Sequence, residues 1–228
     1  MRRRAELVFA LLLCLAAVPP AAGAHDALSV EDEFVKGVFS PSFIPPPAGS
    51  YELPLVKRVP PFVLRDTAGH RVSTGAITAG KVAVISFIYT ACPDRLGCPL
   101  ASLALQSLQA RVKDEGLSGR VALLSISFDP GRDRRATLAK YAQVYGADAR
   151  LWRFMTAPSE RSLEEVLEGY GQDRAPVYDE RGRFTGRYRH VLKVFLLDQD
   201  GYIRNVYSAG FLVADLVLND IKTVLTER

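Results

Sequence analysis

Two cysteines, Cys92 and Cys98, stand six positions apart in Tyr89-Thr90-Ala91-Cys92-Pro93-Asp94-Arg95-Leu96-Gly97-Cys98-Pro99. A β-type run precedes the segment and a helix-type pattern follows it, which is where parallel α/β folds place their ligand sites. At this spacing the pair could cycle between dithiol and disulfide, bind a soft metal, or form a local staple. A staple would close a seven-residue loop for only about 2.4 kcal/mol by the chain-entropy relation. Helix N-terminal amides and the macrodipole stabilise a thiolate, which favours both redox chemistry and metal ligation. Thiolates select Cu(I) or Zn(II), and an added imidazole suits Cu(II) as well. His190, just before the apolar run 191–197, sits at the kind of strand end that can face the cysteines. His70, in the turn Ala68-Gly69-His70-Arg71, reads as an exposed spectator. His25 would offer an α-amine and an imidazole, a copper chelate, if the chain were cut just before it.

Elements must position these groups, and composition limits what they belong to. The 228 residues are 48% hydrophobic and 24% charged, which excludes disorder, collagen-like repeats and a multi-pass membrane protein. A formal charge of +4 is too mild to argue for nucleic acid. Arg2, Arg3 and Arg4, an apolar run over 7–18 and Ala22-Gly23-Ala24 read as a secretory signal peptide over residues 1–24. That run falls short of the roughly 20 residues that span a bilayer. An uncleaved leader, or lipidation of Cys14, would instead tether the chain to a membrane facing the periplasm. Cleavage leaves Cys92 and Cys98 as the mature cysteines of an exported protein. Residues 25–57, rich in proline, read as an extended arm that tethers the domain or lies across its surface.

From residue 60, strand and helix patterns alternate. A short hairpin over 62–72 precedes the buried run 82–89, a central strand covered on both faces. Leu100, Leu103, Ala104, Leu108 and Val112 mark an amphipathic helix over 100–115. Residues 121–128 read as a second buried strand, and Asp133 as the cap of a helix reaching Tyr145. A short strand over 152–156 follows, then a helix capped at Ser162 and ending near Gly169. Residues 171–189, polar and rich in arginine, read as a loop. Residues 191–197 and 203–207 form a hairpin about Asp198-Gln199-Asp200-Gly201, and a C-terminal helix covers 213–225. This order, β-hairpin, βαβα, βα, ββα, suits a thioredoxin-like domain over residues 58–228, with a central mixed sheet flanked by helices.

Phe87-Ile88-Tyr89-Thr90-Ala91-Cys92-Pro93-Asp94 followed by Cys98-Pro99 resembles the Sco/SenC family of copper-binding assembly factors for cytochrome c oxidase. Further matches follow in order: Phe62-Val63-Leu64-Arg65-Asp66, Gly80-Lys81, Ser127-Phe128-Asp129-Pro130, Trp152, and His190 before Phe195-Leu196-Leu197-Asp198-Gln199-Asp200-Gly201. The resemblance implies a thioredoxin-like fold and copper, Cu(I) or Cu(II), held by Cys92, Cys98 and His190. It also implies a partner that is an apo-cuproenzyme such as an oxidase subunit. Family members that act as thiol-disulfide oxidoreductases imply a second reading, with Cys92 and Cys98 as a catalytic redox pair. The family pattern has about three residues between its cysteines, whereas five stand here. Asp129 could influence the electrostatics of the same face or serve as a loop carboxylate. The T-x-x-C of thiol peroxidases and the W-C-x-x-C of exported thioredoxins are both absent, since Thr90 is two residues before Cys92 and the only tryptophan is Trp152.

Overall fold

The computed structural model describes residues 43–227. The segment expected to be a signal peptide, Cys14 and His25 lie outside them. Eight strands form one sheet in the order β1-β10-β9-β4-β5-β6-β2-β3. β4 (Val82–Ile88), β5 (Val121–Ser127) and β6 (Trp152–Thr156) run parallel at its centre. β9 (Val194–Leu197) pairs antiparallel with β4, and β10 (Tyr202–Tyr207) with β9. The hairpin of β2 (Val63–Asp66) and β3 (Arg71–Ser73) closes one edge, and β1 (Lys57–Arg58) the other. A turn of helix, α1 (Thr74–Thr78), follows β3 and was not evident from periodicity.

Every residue of β4 and β5 is buried, as expected of strands covered on both faces. On one face α4 (Glu160–Tyr170) lays Tyr170 against Phe87 and Phe195, with ring centroids 5.2 and 5.3 Å apart. On the other face α3 (Arg135–Val144) brings Tyr141 to Phe154 and to Ser102 of α2 (Cys98–Asp114). α5 (Ala214–Thr226) packs beside α2. Within this layer Ser86 meets Ser125 at 2.8 Å, and Trp152 Nε1 donates to Ser125 Oγ at 3.0 Å, while the buried Thr156 hydroxyl has no hydrogen-bond partner among the described residues.

Three sequence expectations need correction. Residues 171–189 are not a loop throughout, since β7 (Ala175–Tyr178) and β8 (Phe184–Arg189) form a separate two-stranded sheet. Its strands escaped notice because arginines occupy the outward positions, masking the alternation of Phe184, Gly186 and Tyr188. Asp133 does not cap α3, whose N-cap is Arg134. Its carboxylate is fully buried and accepts from Thr90 and Ser127. Ser162 does not cap α4, because Ser159 does, accepting from the Ser162 amide at 3.2 Å.

The described part of the proline-rich arm lies across the domain. Asn219 Nδ2 donates to the Pro46 carbonyl, the Gly49 amide donates to Thr223 Oγ1, and the Tyr51 hydroxyl donates to Asp220. Arg204, 7% exposed, holds the Leu53 and Pro54 carbonyls while pairing with Asp198 and Glu227. Asp220 is the hub, because it also accepts from Tyr207 and Asn205. Replacing Asp220 with alanine strands these buried donors, so chemical denaturation should show a loss of about 2–4 kcal/mol. A loss below about 0.5 kcal/mol, ordinary for a surface site, would contradict the hub.

Candidate metal centre

The parallel pairing of β4 and β5 sets Ile88 beside Ser127, so the loops after both strands leave the sheet together. The Phe128 amide donates to the Ile88 carbonyl at 2.9 Å and extends that register one step further. β9 runs the other way with Val194 beside Ser86, which brings its N-terminal approach, and His190 with it, to the same end. The three expected groups therefore meet. Cys92 Sγ, Cys98 Sγ and one His190 ring nitrogen all lie within 4.8 Å of one another, the one such potential metal-holding group among the described residues. His190 Nε2 is 3.9 Å from Cys98 Sγ.

Five residues between the cysteines do not separate them, because the intervening chain folds back on itself. Asp94 accepts from the Leu96 amide through its side chain and from the Gly97 amide through its carbonyl, at 3.0 and 3.1 Å. Gly97 is the N-cap of α2, and a Cβ there would lie 3.4 Å from Cys92 Sγ. Cys98 is thus the first residue of α2, two positions earlier than periodicity indicated. The entry to this loop is held by Asp133, which accepts from the Thr90 amide at 3.0 Å and from the Ser127 hydroxyl at 2.6 Å. One buried carboxylate thereby ties the end of β5 to the residue two before Cys92. Burial raises the Asp133 pKa, against the hydrogen bonds from Ser127 and Thr90.

The two sulfurs are electrostatically unlike. Cys98 is fully buried, while Cys92 is half-buried and open to an approaching group. A hydrogen bond from Cys98, aided by His190, lowers the Cys92 pKa to about 4 against the cost of burial. Burial, reinforced by the Cys92 sulfur, pushes the Cys98 thiol well above its ordinary value. The pair therefore holds one proton, on Cys98, with a half-buried thiolate beside it. The Tyr89 amide donates to Cys98 Sγ at 3.4 Å, so the buried sulfur keeps a backbone partner.

His190 leans on aromatic rings, with centroids 4.8 Å from Phe128 and 6.2 Å from Tyr89. Asp129 lies behind them, 3% exposed, and pairs with Arg132. It also accepts from the Tyr188 hydroxyl at 3.4 Å. His70 is exposed and pairs with Asp66 at 3.4 Å, outside the cluster. Sequence reading missed Arg132, Asp133 and Tyr188, whose roles arise from pairings 43 to 59 residues apart in the chain.

Iodoacetamide should alkylate Cys92 at a rate nearly constant between about pH 6 and about pH 8, because a thiol with a pKa of about 4 is already ionised there. Protonation slows the reaction only as the pH falls towards that value. A rate rising about tenfold per pH unit across the window, the behaviour of an ordinary cysteine, would contradict the shared-proton arrangement.

Comparison with known proteins agrees with this architecture. The SCO1/SenC family model matches residues 54–226. A SCO1 protein homolog of Bacillus subtilis (strain 168) is 28% identical over 175 residues, covering 76% of this chain and 86% of its own. BsSco, described as carrying a disulfide switch and as a member of the Sco family of cytochrome c oxidase assembly proteins, superposes with a TM-score of 0.62 at 27% identity, over 78% of this chain and all of its own. The copper-bound structure of Bradyrhizobium japonicum ScoI gives 0.55 at 27% identity, over 71% and 99% of the two chains. The central parallel strands, the antiparallel edge and the helices on both faces are thus those of the thioredoxin-like fold, and the chain belongs to the SCO1/SenC family.

Proposed function

We propose that this protein is an exported copper metallochaperone that holds its cargo through Cys92, Cys98 and His190 and passes it to an apo-cuproenzyme, a cytochrome c oxidase subunit or similar protein. The observation that carries the reading is the convergence of two sulfurs and one imidazole within 4.8 Å, built from two connections far apart in the chain. Two thiolates and a histidine match the softness of copper. The copper-bound ScoI relative and the assembly role of the family of BsSco support the same cargo and class of partner. Export rests on the leader over residues 1–24. Among the described residues no helix is long and apolar enough to cross a membrane.

The residues divide the work. Cys92, ionised and the more accessible of the two sulfurs, meets an incoming ion first. Cys98 must give up its proton to bind, so loading releases a proton and strengthens as the pH rises. His190 supplies the third donor from a different element. Transfer runs by ligand exchange, in which a partner's sulfurs or imidazoles displace Cys92, the accessible ligand, before buried Cys98. Two-electron oxidation to a Cys92–Cys98 disulfide removes both thiolates and abolishes the site.

The asymmetry of the pair also favours a second reading, thiol-disulfide exchange without stable copper. The Cys92 thiolate would attack a partner disulfide and release one partner thiolate. Cys98 would then lose its proton and attack Cys92 Sγ, closing the internal disulfide and releasing the second. Anaerobic titration of the reduced protein with Cu(I) against a competing chelator separates the readings. One-to-one binding, weakened by about tenfold or more in each of Cys92→Ser, Cys98→Ser and His190→Ala, is expected of the chaperone. Weak binding indifferent to His190→Ala, with disulfide exchange intact, would assign the exchange reaction instead.

A further inference from the structure

His190 does not stand on the main sheet. It directly follows β8, in a two-stranded hairpin that pairs with no strand of the central sheet. Such a hairpin is marginal by itself, so its pitch over the domain must be set by side chains. Arg132, in the loop between β5 and α3, supplies one tie at the hairpin itself, while Gln172 Nε2 donates to the Val191 carbonyl just beyond His190 at 3.0 Å. Arg132 Nε donates to Asp129, and its Nη2 donates to the Gly186 carbonyl, 54 residues away in the chain. The guanidinium also lies 5.4 Å from the ring centroid of Phe184 and 5.8 Å from that of Tyr188. Gly186 has a φ of 79°, and a Cβ there would collide with Arg132 Nη1, so hairpin and arginine are fitted to each other.

Tyr188 carries the tie onward. Arg174 covers its ring at 5.0 Å, its hydroxyl donates to Asp129, and its amide donates to the Tyr89 hydroxyl at 3.5 Å. Its ring meets Tyr89 and Phe128 edge-on, at 5.4 and 5.8 Å. Two residues later His190 rests on the same two rings with Nε2 turned towards Cys98. Asp129, Arg132, Gly186 and Tyr188 thus form a series of contacts from the end of β5 to the Tyr89 and Phe128 rings, against which the third donor also rests.

We propose that Arg132 is a positioning residue for His190: by latching Gly186 and Tyr188 to Asp129 it fixes the reach of the imidazole to the two sulfurs, and so sets copper affinity without touching the ion. The consequence for affinity rests on His190 being a ligand, as proposed above. The consequence for geometry does not.

Arg132→Gln removes the charge and the forked donor. In the metal-free protein, proton NMR of the His190 ring should show the ring-current shift from Phe128 and Tyr89 moving towards the value of an exposed histidine. Cu(I) affinity should fall about tenfold or more, the scale of losing a group that orients a ligand. The fall should not exceed that of His190→Ala, and Arg132→Gln combined with His190→Ala should bind no more weakly than His190→Ala alone. Gly186→Ala disturbs the latch from the hairpin side and should shift the same resonances, which keeps the test open if Arg132→Gln fails to fold. Unchanged His190 shifts in a folded Arg132→Gln or Gly186→Ala, or losses that simply add in the double variant, would overturn the latch. Should His190→Ala alone leave copper affinity intact, the ligand assignment falls, and the metal-free resonances still decide the latch.

Discussion

The register between β4 and β5, with β9 antiparallel on the far side of β4, is the constraint from which the site follows. Parallel neighbours end at the same edge, so the cysteine loop and the Asp129–Asp133 loop must leave the sheet side by side. An antiparallel neighbour begins where they end, so the segment entering β9 arrives at the same place. Cys92 and Cys98 come from one connection and His190 from another, 92 residues beyond Cys98 in the chain. The hydrophobic cost of disturbing strands buried along their whole length is what keeps that meeting point fixed.

Burial then divides two chemically identical thiols. Cys98 opens a helix inside the core and keeps its proton, whereas Cys92 sits in the loop above it and gives its proton up. Each state supports the other, because the thiol donates to the thiolate and the thiolate holds the proton on the thiol. A half-buried thiolate over a buried thiol suits both an incoming soft cation and an incoming disulfide, so the two proposed readings share one arrangement of atoms. In the proposed function His190 is the group that separates them, since exchange needs only the two sulfurs.

Much of this was legible in the chain. The buried strands announced themselves through continuous β-branched and aromatic runs, and the cysteines through their place between a strand and a helix. His190 could be singled out because it stands before a buried strand and within a resemblance to a known family. The hairpin that carries it was not legible: its outward arginines gave residues 171–189 the composition of a loop. Asp133 looked like a helix cap because a carboxylate before a helix usually is one. That it instead ties Thr90 to Ser127 depends on which strands lie side by side, a fact of topology that local pattern does not carry. The five residues between the cysteines, against about three in the family pattern, are folded back by the turn around Asp94.

The central claim of the proposed function is that three donors from two separate connections act on one ion, and X-ray absorption of the Cu(I)-loaded, fully reduced protein tests it most directly. Two sulfur scatterers and one nitrogen scatterer per copper are expected, with the nitrogen contribution, and its imidazole multiple scattering, lost in His190→Ala. A copper shell made of sulfur alone, or one unchanged by His190→Ala, would contradict it.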